Sequence, residues 1–123
     1  MKRPGGPHLL STAGKVIEAT LGELPPELRE IAVEIPTILF EKVPQRMVRE
    51  GLEPDTLGLF EGGDLAEEDG AGQARIYLFL ENLYEYAQRD QQTFVEEVRV
   101  TFLHELGHLL ALDEDDLLQR GLD

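Results

Sequence analysis

Three residues near the end of the chain, His104, Glu105 and His108, form the stretch HELGH, an HExxH pattern. Residues four apart on an α-helix differ by ~40° in azimuth and ~6 Å along the axis. Two imidazoles at that spacing reach one tetrahedral metal from a single helix face. Glu105 starts beside them and reaches a water on the same metal, as the general base of a zinc metallohydrolase does. Zinc is therefore the expected cofactor, with His104 and His108 as ligands and Glu105 as the catalytic base. The pattern fixes only three positions and also occurs by chance in helices that bind nothing. On that plainer reading the histidines line a polar stripe and Glu105 is a surface carboxylate.

A catalytic zinc site takes three protein ligands and leaves a fourth position open. The acidic run that follows, Asp113, Glu114, Asp115 and Asp116, supplies the candidates. Proteases reading HExxHxxGxxH or HExxHxxGxxD place the third ligand six residues past the second histidine, after a glycine at which the helix ends. Counted from His108, the glycine position holds Ala111 and the ligand position holds Glu114. Glu114 is the expected third ligand, with Asp113 or Asp116 as alternatives. The competing use of this run is structural: Asp113 caps a short helix over 114–120, which Leu117 and Leu118 dock on the core. His8, the remaining histidine, reads as an exposed tail residue rather than a distant ligand.

The motif has this chemistry only on a helix, and the sequence provides one. Phe94, Val98, Phe102, Leu106, Leu109 and Leu110 recur at spacings of three and four, and Val95 and Leu103 widen the stripe. Asp90 or Thr93 caps its start, and Thr93 with Glu96 fits a capping box. Gly107 is the one interruption and costs ~1 kcal/mol relative to Ala in mid-helix. Close approach of another backbone would account for it, as would a neutral substitution.

The elements that must hold this helix come earlier. Residues 1–8 read as a flexible leader and 9–123 as a single domain. An amphipathic helix is expected over 9–21 and a short one over 26–30 behind Pro25-Pro26. The stretch 31–35, Ile-Ala-Val-Glu-Ile, reads as a strand stopped by Pro36, with 37–43 as an extended edge or a connection. A short helix over 44–50 ends at Gly51, and 55–60 resembles a second strand. The acidic, glycine-rich stretch 62–70 reads as a solvated loop, because it lacks the ligand spacing of a calcium loop. The strongest strand is 74–80, ARIYLFL, covered on both faces. After it, 81–89 is a loop or short helix, with Tyr84 and Tyr86 in packing or surface roles ahead of oxyanion support. The pattern is α+β, a small mixed sheet packed on helices with HExxH on a helix of the C-terminal half.

Composition narrows the partners. The 123 residues include 11 Lys plus Arg against 25 Asp plus Glu, a formal charge of −14. Such a surface repels phosphate backbones and anionic bilayers, so neither nucleic acid nor a membrane is an expected partner. There is no cysteine, which excludes disulfides, a thiol nucleophile and cysteine zinc ligands. No apolar run has the length of a membrane span and none resembles a signal peptide, so a cytoplasmic protein is expected.

From Leu9 onward the order of segments resembles the bacterial zincin-like minimal metallopeptidases, also described as having a matrix-metalloprotease-like domain. The resemblance rests on ELPPELRE at 23–30, a GLFEG segment, an I-x-L strand, and HELGH followed by LDEDDL. It implies a reduced zincin fold, with His104 and His108 on the metal and Glu105 as base. The family commonly carries glycine where this chain has Ala111. The expected activity is zinc-dependent hydrolysis of a peptide or unfolded segment laid along an exposed sheet edge, most simply beside 74–80. A zincin-fold module that binds metal or protein without turnover is the alternative, and hydrolysis of a non-peptide amide is a third reading.

Overall fold

Proline and helical spacing, rather than β-rich composition, decide the first third of the chain. The computed structural model describes residues 8–62 and 74–110. Helix α1 spans Leu9–Glu23 and buries Leu9, Ala13, Ile17 and Thr20, a stripe at spacings of four, four and three. Pro26 then occupies the first position of α2, Pro26–Ala32. The expected strand at 31–35 is absent: Leu28, Ala32 and Ile35 are buried at helical spacing, while Ile31 and Val33 face solvent. Their β-branched side chains have nothing to pair with, so the proline start and the buried stripe prevail. Arg29 ties the two helices together. Its guanidinium donates to the carbonyls of Leu21, Gly22 and Leu24 at the end of α1, where helical partners run out.

The sheet has three strands in the order β1-β3-β2, where β1 is Thr37–Phe40, β2 is Gly58–Glu61 and β3 is Arg75–Phe79. Strand β3 is parallel to β1, with Thr37 opposite Ile76, and antiparallel to β2, with Gly58 opposite Leu78. Between β1 and β2, helix α3, Gln45–Arg49, ends as expected at Gly51, whose φ of 109° suits glycine. The central strand is covered on both sides, as its pattern requires. Ile76 and Leu78 join the main core, whereas Tyr77 and Phe79 form a second, smaller core with Met47.

Helix α4, Leu80–Tyr86, leads directly out of β3, which resolves 81–89 in favour of a helix. Helix α5, Gln91–Leu109, follows. Of the two expected caps, Asp90 is the one used: its carboxylate accepts from the Thr93 backbone N–H at 2.9 Å and from the Thr93 hydroxyl at 2.7 Å. These bonds hold the Asp90 carboxyl below the usual carboxylate range. Phe94, Val98, Phe102, Leu103, Leu106 and Leu109 are buried, but Val95 lies 37% exposed and does not belong to the stripe. Tyr84 packs edge-to-face on Phe94, and Tyr86 is exposed. Phe94 precedes His104 by ten residues, about 15 Å of helix, so Tyr84 serves packing rather than the motif. No helix among the described residues is long and apolar enough to cross a membrane.

Candidate metal centre

The last turns of α5 carry the motif. Leu103, Leu106 and Leu109 point into the core, which turns His104 and His108 outward to solvent and leaves Glu105 half-buried between the two environments. Gly107 is buried on the inward side. The two imidazoles converge: Nε2 of His104 lies 3.0 Å from Nε2 of His108, with the rings nearly perpendicular at 85°. Two nitrogens bound tetrahedrally at ~2.05 Å from one zinc lie ~3.3 Å apart. The observed separation is within a few tenths of an ångström of that value, so the pair fits zinc with little side-chain movement.

Glu105 is half-buried beside the two imidazoles. Burial pushes its carboxyl above the ordinary glutamate range, and the neighbouring His104 and His108 partly offset that rise. A raised carboxyl beside two metal-ligand candidates is the electrostatic pattern of a catalytic acid–base residue.

Strand β2 forms the wall beside the motif. Along it, Gly58 and Phe60 face α5, while Leu59 and Glu61 face the smaller core, where Glu61 accepts from the Tyr77 hydroxyl at 2.8 Å. The Phe60 ring lies flat against the His108 imidazole, with centroids 5.5 Å apart and planes at 15°. Two residues back, Gly58 brings the strand against α5. A Cβ at that position would stand 2.7 Å from Thr101 Cγ2, closer than side-chain carbons pack. The loop before β2 is clamped from α4, because the Asn82 amide donates to the carbonyls of Pro54 and Thr56, each at 2.8 Å. The backbone N–H of Phe79 adds a bond to Leu57.

His104, Glu105 and His108 are thus brought together, and the third ligand is not among them. Glu114, Asp113 and Asp116 lie outside the described residues, as does the glycine-rich loop from Gly63. His8 sits exposed at the start of α1. Among the described residues no third histidine, aspartate or glutamate completes a ligand cluster. The expected docking of substrate beside 74–80 is overturned, because β3 is the central strand and is paired on both sides. The sheet edge adjoining the motif is β2. Phe60, Gly58 and Asn82 were not singled out by the sequence. The only signal for the first two was the GLFEG segment, one of the stretches on which the family resemblance rests, without a role.

The sequence model of one protein family, Zincin-like metallopeptidase, matches residues 33–122. That span takes in all three strands and the whole of α5. No curated protein shows significant similarity to the chain.

Proposed function

The chain belongs to the zincin-like metallopeptidase family, and from that premise we propose that it hydrolyses peptide bonds with zinc held by His104 and His108. The convergence of the two Nε2 atoms to 3.0 Å carries this reading. Glu114 is the third ligand we assign, with Asp113 or Asp116 as substitutes. Zinc supplies Lewis acidity that makes water a nucleophile at neutral pH. Glu105 accepts a proton from the attacking water on a carboxylate oxygen and returns it to the nitrogen of the leaving amine. Its partly desolvated position makes it a stronger base than an ordinary glutamate carboxylate.

The substrate is a peptide or an unfolded segment in extended form. It pairs with the edge of β2, whose described hydrogen bonds go only to β3, and this carries the scissile carbonyl past the motif. A formal charge of −14 attracts basic segments to that edge.

Zinc calorimetry and cleavage of a peptide library test the proposal together. Wild-type protein is expected to bind one equivalent of zinc, and His108→Ala to bind none. Glu105→Gln should keep the zinc and lose about 10²–10⁴-fold in turnover. Full activity in Glu105→Gln would remove the assigned base. Zinc binding with no cleavage of any peptide would leave a zincin-fold binding module instead.

A further inference from the structure

A metal-binding histidine is normally aimed by its second ring nitrogen, which donates to a carboxylate or a carbonyl. His108 has a different arrangement. Among the described residues its one polar contact is Nε2 on Nε2 of His104, and its ring face is covered by Phe60. Phe60 is 37% exposed, at the outer edge of a short strand, where a large aromatic gains little from burial. Among the described residues, the ring contact it makes is with the His108 imidazole.

We propose that Phe60 is a positioning residue for the metal centre: its ring holds the His108 imidazole in the orientation that turns Nε2 toward His104. An imidazole on the solvent side of a helix otherwise samples several rotamers, and each one lost on metal binding lowers affinity. A flat neighbour at stacking distance restricts that freedom in advance. Gly58 makes the contact possible. Its missing Cβ lets β2 touch α5 at Thr101, one strand step from Phe60 and two helical turns before His108. Gly58 at Thr101 and Phe60 at His108 are thus two points that fix the strand against the motif helix.

The inference rests on the zinc reading of the site, and its test separates the two. Zinc affinity by competition titration, and the ring-proton resonances of His108 in metal-free protein, are measured for four variants beside wild type. Phe60→Ala is expected to weaken zinc about tenfold, the lower end for loss of an orienting partner, and to abolish the ring-current displacement of the His108 protons. Phe60→Tyr restores both. Gly58→Ala, which touches neither ring, should shift the resonances and weaken zinc in the same direction. Leu59→Ala, on the opposite face of β2, should lower stability and leave both readouts in place. Unchanged affinity in Phe60→Ala, or an equal loss in Leu59→Ala, overturns the proposal. A wild-type protein that binds no zinc would end the metal reading of the site. The resonances would then still decide whether Phe60 orders His108.

Discussion

Strands β1 and β2 are the same length and flank the same partner, yet they do different work. Strand β1, Thr-Ile-Leu-Phe, is apolar after its first residue and serves both cores, with Leu39 on one face and Ile38 and Phe40 on the other. The Phe40 ring stacks on Tyr77 at 5.9 Å and on Phe79 at 6.0 Å. Strand β2, Gly-Leu-Phe-Glu, gives up that burial. One of its residues has no side chain, and two are exposed. Of these, Gly58 sets its distance to α5 and Phe60 covers His108. One edge holds the sheet together, and the other holds the site in place.

The comparison is most easily broken at Phe40. Phe40→Ala removes two ring contacts from a half-buried position and should cost about 2–3 kcal/mol, below the range for a fully buried phenylalanine. Urea unfolding measures the loss, and zinc affinity of the folded variant should equal that of wild type. A fall in affinity comparable with that of Phe60→Ala would mean the two edges are not separable. The next effect is smaller and lies in β2. Gly58→Ala forces a Cβ to within 2.7 Å of Thr101 Cγ2, an overpacking worth about 1–3 kcal/mol. Thr101→Ser deletes that methyl, at a cost of about 1 kcal/mol when made alone. Combined with Gly58→Ala it should cost nothing or restore stability, a coupling of about 1 kcal/mol in a double-mutant cycle. Simple additivity would show that the strand relieves the clash by moving away from α5.

The sequence made some of this architecture legible because certain signals act locally. The stripe on α5, the Pro44 to Gly51 limits of α3 and the alternation of β3 each follow from spacing within one element. The stretch 31–35 misled because β-branched residues favour a strand only when a partner strand exists. Here the helix begun at Pro26 and the buried Leu28, Ala32 and Ile35 decide the outcome. For the same reason β3 could not be recognised as central rather than an edge, since pairing on both sides is a property of three segments together. The motif itself was readable from three letters. Its wall was not: Phe60 lies 48 positions before His108 in the sequence, and nothing local in either residue announces a stack. Asn82 is similar, an unremarkable residue whose amide happens to face the loop before β2.

The smallest expected effect also tests whether the site beside β2 is kept at the expense of stability. Glu105 and Asp90 are carboxylates on one helix with opposite shifts. Hydrogen bonds to Thr93 lower Asp90, whereas burial raises Glu105. A carboxyl raised in the folded state binds its proton more tightly there than in the unfolded chain. Unfolding then releases protons, and stability falls as pH climbs from the ordinary glutamate value of 4.5 through the raised one. Above that window the ionised Glu105 opposes folding of the metal-free protein. Glu105→Gln, which carries no charge, should raise the thermal midpoint of metal-free protein at pH 7, with the gain disappearing below about pH 4. Asp90→Ala should do the reverse: it lowers the midpoint at pH 7, and its effect fades as acid protonates the cap. A Glu105→Gln midpoint equal to or below wild type at pH 7 would mean that the carboxylate is stabilised by neighbours and has no cost to the fold. A rise in midpoint paired with loss of turnover would instead identify a base retained for its chemistry against the preference of the fold.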